Sequence, residues 1–151
     1  AWDKLIAHGV KPCALGCRDT LRFEVGLPLY GDELTDDITP LEAGLGWVTK
    51  FVEGKDFIDK EFLAKQKAEG VQRKLVGLKM IDRGIPRHGY KLANLEGEEI
   101  GVVTSGTMSP MLKGGIALGY VKTEYAALGT TVAVVIRDRL IKAEVVKYPF
   151  V

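Results

Sequence analysis

Cysteine and histidine are scarce in this chain and an excess of either charge is lacking, and each scarcity closes a class of function. Only two cysteines, Cys13 and Cys17, and two histidines occur. With His8 the only imidazole near the cysteines, a structural zinc site lacks its fourth ligand, so the thiols read as buried or merely free in a reducing compartment. Lys and Arg number 21 against 20 Asp and Glu, so no cationic surface for nucleic acid or an anionic membrane is implied. Apolar runs such as Thr131 to Ile136 are far shorter than the roughly 20 residues a spanning helix needs. No charged segment followed by an apolar stretch opens the chain, and a soluble, unsecreted protein is expected, of the cytoplasm or, in a eukaryote, of the mitochondrial matrix.

What is present suffices for a core, since a chain of this length buries roughly 68–70% of its unfolded surface. Trp2, Leu5 and Ile6 fall at helical spacing and Gly9 supplies a stop, yet no good N-cap precedes Trp2 and no methionine opens the chain. A piece of a longer protein is therefore expected. Leu21, Phe23 and Val25 alternate with Arg22 and Glu24, which predicts a strand. Thr39-Pro40-Leu41-Glu42 has the form of a capping box and predicts a helical turn. Trp47 to Phe51 alternates and predicts another strand. Asp59 is placed to cap a helix over Lys60 to Glu69 that buries Phe62 and Leu63.

From Arg73 onward the texture changes. Leu75 to Ile81, Glu99 to Thr104, Ile116 to Lys122, Thr131 to Arg137 and Leu140 to Lys147 are β-rich runs separated by turn residues, with Asp138 at a tight hairpin tip. That pattern predicts a small antiparallel barrel or sandwich. The overall class is α+β, divided into residues 1–71 and 72–151.

Glu24 is the sharpest candidate for chemistry. An acid projecting from a rigid strand edge beside the Gly26 to Pro28 turn offers two acceptor oxygens to a ligand with a paired set of N–H donors. The alternative is a surface glutamate paired with Arg22 or Arg18. Arg18 and Asp19 are expected to pair and anchor the segment. Tyr30 stands beside a turn, where it either contacts a ligand or packs half-buried. Arg87 and His88 follow Pro86 in a turn suited to serving a site on a neighbouring unit, and His88 is given no catalytic role. The hydroxyls of Thr104-Ser105-Gly106-Thr107 have no His–Asp set, which argues against a serine nucleophile. Gly114-Gly115 lacks the helix start and Lys-Ser/Thr of a phosphate loop.

The run Leu15 to Leu34 with Thr39 to Trp47 resembles the aminomethyltransferase (T-protein) family of the glycine cleavage system. The resemblance continues through Asp56-Phe57-Ile58, Arg73 to Leu78, Gly84 to Tyr90, Ile100 to Thr107 and Lys147 to Val151, and so covers nearly the whole chain. It implies the end of a folate-binding α/β domain followed by a C-terminal β-barrel. It also implies tetrahydrofolate as co-substrate, lipoylated H-protein as partner, and contacts with the N-terminal part of the full-length chain. Glu24 matches the family's pterin-binding glutamate. Lys55, ahead of Asp56-Phe57, matches a basic residue for the folate tail, with Lys50 as a fallback; a lysine there binds as a point charge without the bidentate geometry of arginine. The family's aspartate nearest the reacting nitrogens has no counterpart here, so this portion alone is expected to be inactive. Two alternatives share the pattern: the folate-binding tail of a dimethylglycine or sarcosine dehydrogenase, and a non-enzymatic scaffold for iron–sulfur protein maturation. The scaffolds carry a Lys-Gly-Cys-Tyr-like motif where this chain has Glu53 to Phe57.

Overall fold

A computed structural model describes residues 1–151. Three helices, α1 (Trp2–Ala7), α2 (Ala14–Glu24) and α3 (Lys60–Glu69), precede six strands. The strands are β1 (Arg73–Met80), β2 (Lys91–Ala93), β3 (Glu99–Ser109), β4 (Gly114–Lys122), β5 (Thr131–Ile136) and β6 (Arg139–Val146). They close an antiparallel barrel in the order β1-β4-β3-β2-β5-β6, which leaves no edge strand to pair with another chain. The α+β class with a small antiparallel barrel is therefore observed.

Alternation builds the barrel interior. Val76 and Leu78 of β1, Ala117 and Val121 of β4, Val132 and Val134 of β5 and Ala143 and Val145 of β6 meet Leu92, Ile100 and Val103 inside. β4 is buried on both faces, because Ile116, Leu118 and Tyr120 point outward into a second cluster with Leu75 and Phe23. That outer face is covered by residues from the N-terminal segment and by the C-terminal tail, where Phe150 stacks on Phe23 at 5.5 Å between ring centroids. Gly101 permits the close β3–β4 approach: a Cβ there would stand 1.9 Å from the Tyr120 carbonyl oxygen. The β5–β6 hairpin turns on Arg137 and Asp138, both at positive φ, between the paired Ile136 and Arg139. This is the two-residue turn whose twist matches that of the strands.

The N-terminal segment departs from expectation at several points. Leu21 to Glu24 is the last turn of α2, not a strand. A five-residue alternation lost to an eleven-residue helix in which Ala14, Leu15, Arg18, Leu21, Arg22 and Glu24 are good helix formers, supported by the Arg22–Asp19 pair at i,i+3. Asp19 consequently pairs with Arg22 and not with Arg18. Trp47 to Phe51 finds no partner strand: Trp47 and Val48 lie in a turn, with Val48 N–H donating to Leu45 O, and residues 49–51 are irregular. Helix α3 has the expected bounds and buries Leu63, but Phe62 is exposed and the Asp59 side chain makes no cap bond. Thr39 and Glu42 do form the reciprocal box: Thr39 N–H donates to Glu42 Oε2 at 2.8 Å, and Glu42 N–H to Thr39 Oγ1 at 3.2 Å. The expected strands omit β2 and stop β3 short, at Thr104, where it runs on to Ser109.

Candidate functional site at the helix–barrel junction

Where α2 meets the outer wall of the barrel, charge is buried. The only buried acids of the chain are Glu24, Glu33 and Glu42, and all three stand at this junction. A bulge in β3 prepares the barrel side. The register shifts between Val103 and Ser105, so Thr104 and Ser105, which would face opposite ways in a regular strand, both send hydroxyls toward the N-terminal segment. Thr104 Oγ1 donates to Glu33 Oε1 at 2.8 Å, and Ser105 Oγ accepts from Arg22 Nη2 at 3.0 Å.

Arg22 joins these groups. Its Nη1 donates to Glu33 Oε2 at 2.8 Å and to Leu27 O at 3.2 Å, and its Nε donates to Asp19 Oδ1 at 2.7 Å. Burial disfavours the charged guanidinium, but the Asp19 hydrogen bond and the Glu33 charge outweigh it, and the net effect raises the Arg22 pKa. Glu33 is fully buried, with Oε2 also accepting from Leu29 N–H at 2.9 Å. Nearby, Tyr120 O–H donates to Glu33 O at 2.9 Å. Burial, followed by the Glu42 charge, pushes the Tyr120 pKa up; burial and the Glu33 charge do the same for Tyr148. Glu42 Oε1 is held by Arg73 Nε at 2.8 Å, which ties the capping box to the first residue of β1.

Glu24 is held differently. Only 5% exposed, it forms no ion pair. Its Oε1 accepts from Ser109 Oγ and, at 3.5 Å, from Met111 N–H. Its Oε2 accepts from nothing, yet no buried side-chain oxygen lacks a partner, so Oε2 is an atom that reaches solvent. The side chain is neither a solvated strand glutamate nor a partner of Arg22 or Arg18.

The other candidate residues lie elsewhere. Tyr30 is exposed, and its hydroxyl donates to Asp36 Oδ1 at 2.6 Å, a bond that raises its pKa. Lys55 lines a cavity of about 720 Å³ with Lys50, Asp56, Phe57 and Leu63. Arg87 lines a separate groove of about 550 Å³ with Arg83, Arg137, Arg139 and Tyr90 and no acidic residue. No two of Glu24, Tyr30, Lys55 and Arg87 share one of these cavities. His88 Nδ1 lies 2.6 Å from Thr104 O and 3.7 Å from Asp32 Oδ1. Both cysteines are exposed free thiols, and no helix is long and apolar enough to cross a membrane.

Glu33 and Ser109 are not picked out as site residues from sequence, and Arg22 is named only as a possible partner of Glu24. Only the Asp19–Arg22 spacing signalled any of them.

Comparison with known families decides the lineage. Residues 73–151 match the glycine cleavage T-protein C-terminal barrel domain, and residues 1–53 match the GCVT N-terminal domain. The chain belongs to the glycine cleavage T-protein family. An aminomethyltransferase of Bacteroides thetaiotaomicron is 65% identical over 94% of this chain and 39% of its own length. One from Bacillus subtilis is 52% identical over 99% of this chain and 42% of its own length. The crystal structure of glycine cleavage system aminomethyltransferase T from Bartonella henselae superposes with a TM-score of 0.86 at 38% identity, covering 91% of this chain and 38% of that one. The chain thus spans about 40% of the length of the curated T-protein relatives it matches.

Proposed function

We propose that this chain is the C-terminal portion of a tetrahydrofolate-dependent aminomethyltransferase of the glycine cleavage system. In this reading residues 1–71 end the folate-binding domain and residues 72–151 are the barrel domain. The full-length protein takes the aminomethyl carbon from lipoylated H-protein in the cytoplasm, passes it to tetrahydrofolate and releases ammonia. It needs no nucleic acid or membrane. The relatives named above, each an aminomethyltransferase, do not favour a dehydrogenase tail or an iron–sulfur scaffold.

One observation carries the reading: Glu24 is an almost buried carboxylate with one oxygen fixed by the barrel and the other at the surface with no donor. A buried anion without a counter-ion is costly unless hydrogen-bonded. The edge of a pterin, an amino group beside a ring nitrogen, supplies the donors that Oε2 lacks. Tetrahydrofolate, when bound, supplies the nitrogens that accept the carbon. The residues of this chain act by orientation rather than by proton transfer, and orientation can contribute much of the acceleration of a group transfer. Glu24 fixes the ring. Lys55, in its cavity with Lys50, offers a cation to the carboxylate tail, and Tyr30 and Arg87 act as further folate contacts. Because the four residues line no common cavity here, the rest of the full-length chain completes the pocket.

The test is tetrahydrofolate binding by full-length protein, wild type beside Glu24→Ala. Loss of charge-assisted bonds worth about 1.5–3 kcal/mol weakens binding by about 10- to 150-fold. Unchanged affinity removes Glu24 from the site. Ammonia release by the full-length protein, given aminomethyl-loaded H-protein and tetrahydrofolate, tests the activity itself.

A further inference from the structure

We propose that Ser109, a barrel residue, is a positioning residue that aims the Glu24 carboxylate at the folate. The inference rests on the folate reading above and adds to it a specific origin for the orientation of the acid. Glu24 is the last residue of α2, where the helix dipole presents its negative end. No cation stands within ion-pair distance to offset this. The side chain is held instead by two donors from the β3–β4 hairpin, the Ser109 hydroxyl and the Met111 amide.

The direction of the Ser109 proton is itself determined. Ser109 is 1% exposed, and its Oγ accepts from Leu112 N–H at 3.0 Å. That bond occupies a lone pair and turns the hydroxyl hydrogen toward Glu24 Oε1. The Ser109-Pro110-Met111-Leu112 turn therefore forms a cradle that fixes one carboxylate oxygen and leaves Oε2 to the ligand. The Glu24 backbone is secured as well, its carbonyl accepting from Phe150 N–H at 2.8 Å. Both clamps belong to the barrel portion, which makes the barrel a working part of the folate site.

The experiment is a double-mutant cycle on tetrahydrofolate binding by calorimetry, using full-length wild type, Ser109→Ala, Glu24→Ala and the double variant, with Ser109→Thr to restore a hydroxyl. Thermal melts accompany each. Ser109→Ala is expected to raise the Kd about tenfold, with Ser109→Thr closer to wild type. In the Glu24→Ala background the same Ser109→Ala change is expected to alter Kd by less than about twofold, because its effect runs through the carboxylate. If the alanine variant does not fold, Ser109→Cys is read in its place, since it keeps the buried volume and substitutes a weak donor. Equal weakening by Ser109→Ala in both backgrounds overturns the inference. A Glu24→Ala loss with no Ser109→Ala loss overturns it while leaving the folate reading intact. No loss from Glu24→Ala overturns both.

Discussion

The inside of the barrel and its outer wall both bury side chains, but they are held by different physics. The interior is aliphatic, with Leu78, Leu92, Val103, Val132 and Val134 fully buried and no charge among them. The outer wall, where α2 and the capping-box segment dock, contains every buried acid of the molecule and the buried hydroxyls Thr104, Ser105 and Ser109. An apolar interior depends on volume and strand register, and tolerates shape-conserving substitution. A buried polar junction depends on matching each donor to an acceptor, because an unmatched one is costly. A fold that needed only stability at this wall could use leucines, as it does inside. The polar alternative holds α2 in one orientation and leaves one oxygen of Glu24 free.

The largest effect should come from unpairing the junction. Arg22→Met strands the fully buried Glu33, and a loss of about 3–5 kcal/mol is expected in chemical denaturation. Adding Glu33→Gln to that variant removes the orphaned charge and should recover much of the loss. A loss below about 1 kcal/mol for Arg22→Met would place this pair with ordinary surface ion pairs and erase the contrast. Leu92→Ala probes the other side of the comparison. It removes a fully buried side chain from the interior and should cost about 2–5 kcal/mol, while leaving tetrahydrofolate affinity of the full-length protein unchanged.

Smaller effects sharpen the picture. Tyr120 and Tyr148 both have raised pKa values in the folded state. The neutral phenols bind protons more tightly folded than unfolded, so their contribution is complete below the ordinary tyrosine pKa of about 10 and is lost as pH rises above it. Thermal stability should accordingly fall on the alkaline side of that value, with tyrosinate absorbance rising as the protein unfolds. Tyr120→Phe should lose about 1 kcal/mol at neutral pH with the Glu33 carbonyl bond, and its alkaline decline should be shallower. Least of all, Thr39→Ala should cost about 0.5–1 kcal/mol, since it deletes the hydroxyl half of the capping box and leaves the Glu42 half in place.

Locally encoded features were legible in the residues. The β5–β6 turn at Asp138, the bounds of α3 and the Thr39–Glu42 box each depend on neighbours within a few positions. Helix α2 is masked in the sequence because Leu21 to Val25 satisfies a strand period by coincidence, and the helical signal appears only over the longer window with Asp19 and Arg22. Strand β2 has three residues, too few for a period to register. Glu24 stood out as an acid in an apolar run. Its partners did not, because Ser109 and Met111 are 85 and 87 positions away and carry no local mark of the contact. Glu33 in Gly31-Asp32-Glu33 reads as a wet loop acid, and its burial rests on Arg22, the Leu29 amide and the Thr104 hydroxyl that the β3 bulge turns toward it, none of which shows in a linear pattern.

The most direct measurement is a crystal structure of the full-length protein with tetrahydrofolate. The account predicts Glu24 Oε2 at about 2.7–3.2 Å from nitrogen donors of the pterin, with Oε1 still accepting from Ser109. A pterin bound elsewhere, with Oε2 facing only water, would contradict it.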